Sequence, residues 1–167
     1  MTWLFLLRHS KAGWAAPGMR DFDRPLDTSG EGDAEAVGAA MRADGYTPEL
    51  VICSSARRAR QTLDGVARNL PTGRVVYADG LYSTDAMGYV DIIRDAPEAA
   101  SILLIGHNPM TEDVAIALSG DGEEAARSAM LGGFPTSALA VIRFPGKLAE
   151  AAPGKGYLEA FLTPSDR

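Results

Sequence analysis

Two histidines occur in the 167-residue chain, and each closes an apolar run: Trp3-Leu4-Phe5-Leu6-Leu7-Arg8-His9 and Ile102-Leu103-Leu104-Ile105-Gly106-His107. Continuous apolar runs bounded by turn signals suit strands buried in a sheet, and open α/β sheets gather their ligands where such strands end. Two strand ends could therefore bring both imidazoles to one cleft as a pair of active-site groups. A third segment, Ser54-Ser55-Ala56-Arg57-Arg58-Ala59-Arg60-Gln61-Thr62, follows the short apolar run Leu50-Val51-Ile52-Cys53. A helix starting there offers unpaired amides, and arginine offers a planar fork matched to phosphate oxygens. Together with Arg8 beside His9, these residue types describe a phosphate site. At least two of Arg57, Arg58 and Arg60 read as a solvated helix face.

The elements that would position these groups follow from pattern. A first strand is predicted over residues 3 to 8, then a long polar loop holding Lys11, Trp14, Pro17, Gly18, Asp21, Asp23, Arg24 and Pro25. Thr28-Ser29-Gly30-Glu31 has the spacing of a capping box, and Ala34, Val37, Ala40 and Met41 recur on one helical face as far as Gly45. After the strand at 50 to 53, the hydroxyls of Ser54 and Ser55 suit the cap of a helix over about 56 to 69. A strand near 74 to 77 leads to a helix around 85 to 95, with Asp85 suited to its N-cap and Pro97 beyond its end. Asn108-Pro109 then opens another helix, with proline at a first helical position. A short helical piece from Glu123 to Met130, the breaker Gly132-Gly133-Phe134-Pro135, and strands over 138 to 144 and 157 to 162 complete the pattern. Strands alternating with helices predict an α/β layered fold with a largely parallel sheet, the last hairpin-like pair adding an antiparallel edge.

Composition sets the outer bounds. The length suits one domain over residues 1–167, and 46% hydrophobic with 23% charged residues is ordinary globular usage. A net charge of -6 opposes general attraction to nucleic acid or anionic membrane, so any anion site must be locally basic. The single cysteine, Cys53, reads as packing and fits a reducing, cytoplasmic setting. The apolar start, Met1 to Leu7, lacks a preceding basic region and is interrupted by Arg8 well short of signal-peptide length. No run approaches the roughly 20 apolar residues that span a bilayer.

Several segments carry a resemblance. Leu7-Arg8-His9-Ser10-Lys11-Ala12-Gly13-Trp14 resembles the Arg-His signature of the histidine phosphatase superfamily, which includes the phosphoglycerate mutases. Ser54 to Thr62 resembles its Ser-x-x-x-Arg-Ala-x-x-Thr segment, which aligns the superfamily's essential arginine with Arg58. Gly106-His107-Asn108-Pro109 resembles its second histidine segment. Asp23-Arg24-Pro25-Leu26-Asp27-Thr28-Ser29-Gly30 and Pro135-Thr136-Ser137-Ala138 are similar to the small phosphohistidine phosphatase (SixA-like) branch. The resemblance runs from residue 4 to about 142. It implies a three-layer α/β/α sandwich of the phosphoglycerate mutase-like kind, with a mostly parallel central sheet, working without cofactor or metal.

On this resemblance His9 is the nucleophile that accepts the phosphoryl group, and Arg8, Arg58 and His107 surround its oxygens. The substrate is a phosphorylated protein, with phosphohistidine favoured, or a small phosphorylated metabolite. A mutase and a non-catalytic phospholigand-binding protein are the rivals. Lys11 and Arg24 could add charge at the cleft mouth or pair with Asp21, Asp23 and Asp27. Trp14 could lid the site or anchor the loop. Larger members place an acidic proton donor in the segment corresponding to Leu81 onward, where only Asp85 is available and its better reading is the helix cap. Asp21, Asp23 and Glu112 are further acids without positional support. A phosphohistidine substrate would tolerate a missing acid, because imidazole leaves far more readily than an alkoxide.

Overall fold

The computed structural model describes residues 1–164, so the last three residues of the expected domain lie outside the described residues. The first apolar run forms β1 (Thr2–Arg8), and its continuous apolar character has a direct cause: the strand is covered on both sides. Leu4 and Leu6 enter one buried cluster, whereas Phe5 and Leu7 enter the other. The same alternation divides Ile52 from Val51 and Cys53 in β2 (Leu50–Ser54), and Ile102 and Leu104 from Leu103 and Ile105 in β4 (Ser101–Gly106). Each fully buried Leu, Ile or Phe contributes about 1.5–3 kcal/mol to folding.

One cluster is closed by α1 (Thr28–Ala43) and α2 (Arg57–Ala67), through Val37, Met41, Leu63 and Val66. The other is closed by α3 (Gly80–Ser83), α4 (Ala86–Asp95), α5 (Met110–Leu118) and α6 (Glu124–Leu131). Between them lies a seven-stranded sheet in the order β3-β2-β4-β1-β6-β7-β5, with β3 at Arg74–Ala78, β5 at Ser119–Gly122, β6 at Leu139–Phe144 and β7 at Gly156–Leu162. This is the expected three-layer α/β/α sandwich, and the sheet is mostly parallel. β1–β4, β2–β3, β2–β4 and β5–β7 are the parallel pairs, while β6 runs antiparallel to both of its neighbours.

Local details depart from the sequence pattern. The antiparallel strand β6 is interior, and the edge on that side is β5, a Ser-Gly-Asp-Gly segment with no apolar side chain to mark it. The cap of α1 is Asp27, not Thr28: its Oδ1 accepts the Gly30 N–H at 2.7 Å. Neither Ser54 nor Ser55 caps α2, whose cap position is Ala56. Pro109 occupies the cap of α5, one residue before its first turn. Asp85 does cap α4, accepting the Gly88 N–H at 2.9 Å. No helix among the described residues is long and apolar enough to cross a membrane.

The sheet order fixes where chemistry can occur. β2, β4 and β1 are neighbours and run parallel, so their carboxyl ends share one edge. Arg8-His9 leaves β1 there, His107 leaves β4, and Ser54 to Arg58 leaves β2.

Candidate active site

His9 and His107 follow adjacent hydrogen-bonded strands. Arg8 registers opposite Gly106, the His9 N–H donates to the Gly106 carbonyl at 3.0 Å, and the two rings stand 5.1 Å apart. The His9 Nδ1 lies 2.7 Å from the Ser10 carbonyl oxygen. A carbonyl only accepts, so Nδ1 carries the proton and Nε2 holds an unprotonated lone pair. Burial, joined by the charges of Arg58 and Arg8 and by His107, pushes the ring to about 3 against the Ser10 bond. At neutral pH the ring is therefore uncharged, with its Nε2 lone pair available.

The backbone of His107 is held on both sides. Its N–H donates to the Tyr89 hydroxyl at 3.0 Å, and its carbonyl accepts from Thr111 Oγ1 at 2.8 Å. The Tyr89 ring packs so closely on β4 that a Cβ at residue 106 would stand 2.7 Å from its Cε2, which accounts for glycine there. The His107 Nε2 lies 2.7 Å from Ser54 Oγ, and Nδ1 is buried without a protein partner. Burial and the Arg58 charge lower this ring to about 4, against the opposing pull of Asp21. It is neutral in the free protein.

Of the three arginines on α2, Arg58 turns inward and is 8% exposed, while Arg57 and Arg60 are exposed. Arg58 Nη1 donates to the Asp21 carbonyl oxygen at 2.9 Å and Nη2 to Asp21 Oδ2 at 3.1 Å. Tyr82 donates its hydroxyl to the same Oδ2 at 2.9 Å, and Arg24 Nη1 meets Oδ1 at 3.0 Å. Asp21 is thus the hub that orders Arg58, and Arg24, Tyr82 and Arg58 hold its carboxyl down to about 2. A carboxylate so placed is a poor proton donor.

Arg8 Nη1 donates to the Phe134 carbonyl at 2.9 Å, which Asn108 Nδ2 also reaches at 3.1 Å, and Arg8 Nε is buried without a protein partner. Burial lowers the pKa of this guanidinium and Glu112 opposes the shift, but arginine keeps its charge in proteins. The Ser137 N–H reaches the carbonyls of Arg8 and His9 at 3.1 and 3.2 Å, and its Oγ lies 2.6 Å from Ser10 Oγ. Ser137 adopts φ 64°, a left-handed conformation uncommon for a residue with a side chain. The segment preceding β6 is thereby pinned against the first histidine.

The remaining candidates lie outside this cluster. Lys11 is exposed, 3.9 Å from Asp27 Oδ2, and Arg24 also binds the Gly13 carbonyl at 3.0 Å, so both take the ion-pair alternative at the cleft mouth. Asp85 is exposed and occupied as the α4 cap, and no hydrogen bond or ion pair joins it to His9, His107, Arg8 or Arg58. Asp23 pairs with Arg20 at 2.9 Å. Trp14 is 95% exposed and neither lids the pocket nor anchors its loop. Among the described residues no group of three or more His, Cys, Asp or Glu side chains is placed to hold a metal ion. An apolar groove lined by Thr2, Ile93, Pro97, Ile102 and Leu148 opens at the opposite ends of the strands, away from the histidines. Tyr82, edge-on to His107 at 5.5 Å, is a site residue that the sequence pattern did not single out, and the contact of Ser54 with His107 was not visible there either. Tyr82 stands in the segment searched for an acid, and Ser54 reads locally as a helix cap.

A doubly covered α/β sheet brings two imidazoles and two guanidiniums to adjacent strand ends, a set of groups chemically suited to a phosphoryl anion. Residues 4–91 match the model of the histidine phosphatase superfamily (branch 1). An uncharacterized protein of Mycobacterium tuberculosis strain H37Rv is 36% identical over 162 residues, covering 95% of this chain and 99% of the relative. An uncharacterized chloroplastic protein of Arabidopsis thaliana is 30% identical over 174 residues, covering 96% and 77%. The chain belongs to the histidine phosphatase superfamily. Among solved structures, a candidate phosphohistidine phosphatase SixA from Agrobacterium tumefaciens superposes with TM-score 0.82 at 37% identity, covering 98% of this chain and 99% of that one. The protein histidine phosphatase SixA complexed with tungstate superposes with TM-score 0.74 over 99% of both chains, and at 23% identity it shares the fold.

Proposed function

We propose that this protein is a phosphatase that hydrolyses its substrate through a covalent phosphohistidine on His9, with protein phosphohistidine as the substrate and residues 1–167 acting as one cytoplasmic domain. The observation that carries the reading is the Ser10 carbonyl bond, which fixes the proton of His9 on Nδ1 and leaves Nε2 free to attack phosphorus. In the first step the Nε2–P bond forms as the bond from phosphorus to the substrate imidazole breaks. That imidazole departs as a neutral ring when its other nitrogen already carries a proton, so no acid is needed at the breaking bond. Water then attacks the phosphohistidine, releases inorganic phosphate and restores neutral His9.

Arg8, Arg58 and His107 hold the equatorial oxygens during both transfers. Arg58 has five N–H donors, more than its bonds to Asp21 occupy, Arg8 Nε is a buried donor without a protein partner, and His107 Nδ1 is likewise buried and unpartnered. The depressed Asp21, the exposed, capping Asp85 and the Arg20-paired Asp23 are ill suited as acids, Glu112 accepts from Asn108 Nδ2 at 3.4 Å, and an imidazole leaving group, unlike an alkoxide, needs none of them. The likeness to the Agrobacterium SixA supports the same choice.

The test compares a phosphohistidine-bearing protein with small phosphate monoesters at matched concentration, alongside His9→Ala and acid-quench trapping of phosphoenzyme. Expected are trapped phosphate on the native chain alone, turnover reduced at least about 10³-fold in His9→Ala, and preference for phosphohistidine. Preference for monoesters would sink the substrate assignment, and an active His9→Ala would sink the chemistry.

A further inference from the structure

We propose that Ser54 is a positioning residue that sets the tautomer of His107, so that the ring presents an N–H from Nδ1 to the bound phosphoryl group. The identity of that anion rests on the phosphatase reading; the tautomer does not. Ser54 Oγ is fully buried at the end of β2, 2.7 Å from His107 Nε2, and it accepts the Ala56 N–H at 3.2 Å. With the amide occupying one acceptor direction, the hydroxyl has one proton to place, and Nε2 is the acceptor within its reach among the described residues. Donation from Ser54 to Nε2 satisfies the amide, the hydroxyl and the ring nitrogen together, which puts the imidazole proton on Nδ1. The opposite tautomer would leave the hydroxyl proton without an acceptor and turn a lone pair toward the anion.

The surroundings leave the choice to Ser54. The Tyr89 hydroxyl and Thr111 Oγ1 already clamp the His107 backbone, so the ring has few other ways to settle. The charges acting on it are the guanidiniums of Arg58 and Arg8 and the Asp21 carboxylate, with the neutral His9 ring at 5.1 Å and the Tyr82 edge at 5.5 Å. None of these hydrogen-bonds to its ring nitrogens. Nδ1 is the buried nitrogen without a protein partner, and a donor there needs no proton from solvent before phosphate arrives.

The test uses ¹⁵N-histidine-labelled full chain, whose two histidines give few signals, with His107→Gln to assign them. Proton-coupled ¹⁵N spectra at neutral pH should show His107 protonated at Nδ1 and unprotonated at Nε2. Ser54→Thr should keep that pattern. Ser54→Ala should lose it, weaken binding of inorganic phosphate about 10-fold, and lower kcat more than it raises KM, with rescue in Ser54→Thr; partners that orient an imidazole commonly matter 10- to 100-fold. A native spectrum with the proton on Nε2, or on both nitrogens, overturns the proposal, and so does Ser54→Ala with unchanged tautomer and phosphate binding. The native spectrum decides even if Ser54→Ala does not fold. A native chain lacking all phosphatase turnover but showing the Nδ1 proton would refute the phosphatase reading and leave Ser54 in its role.

Discussion

His9 and His107 are alike in sequence but are made different by one hydrogen bond each. The Ser10 carbonyl takes the proton side of His9, whereas Ser54 Oγ meets Nε2 of His107. Both rings are held neutral, at about 3 and about 4, compared with about 6.5 for an unfolded histidine. As pH falls below about 6.5 the unfolded chain binds two protons that the folded chain refuses, so folding stability drops. The loss stops accumulating once pH passes the folded values near 4 and 3. The unfolding free energy in urea should therefore fall by about 2–5 kcal/mol between pH 7 and pH 4.5. His107→Gln should show a shallower decline over the same interval, and a flat native profile would contradict the neutral pair. Asp21, depressed to about 2, adds its own loss only below about pH 4.

Among the elements, β4 and α4 meet where Gly106 accepts the Tyr89 ring, and that contact holds His107 through its amide. Gly106→Ala should destabilise the fold by about 1–3 kcal/mol and slow turnover, because the added carbon would overlap a fully buried ring. Unchanged melting temperature and activity would show that the ring shifts freely. The elements legible in the sequence were those with a strong side-chain pattern: the doubly buried strands, the apolar face of α1 and the Asp85 cap. β5 was not, because Ser119-Gly120-Asp121-Gly122 is a strand only through its pairing with β7. The strand-end arginines and histidines were visible for the same reason as their strands. Their partners were not: Asp21 reaches Arg58 and Tyr82, and Ser54 reaches His107, across separations of 37, 61 and 53 residues that leave no local spacing.

Across the whole molecule, a chain of net charge -6 places the buried Arg58 and the half-buried Arg8 at one sheet edge, which favours anion binding there. The single Cys53 lies within the cluster covered by α1 and α2, fully buried, with its thiol pushed up to about 12 by desolvation. Thiol reagents should leave the native protein unmodified at neutral pH and label it at the rate of global unfolding; prompt labelling without unfolding would show that the α1–α2 layer opens by itself. The pairing of β1 with β4 carries a consequence for how such a pocket can change. Hydrogen-bonded strands lie about 4.8 Å apart in any protein, and the two imidazoles inherit that interval as their 5.1 Å separation. The backbone spacing between the two histidines is thus set by the strand pairing rather than by the side chains around them. Divergence toward larger or smaller substrates is left to the rim, in the loop over residues 10–27 and the segment before β6.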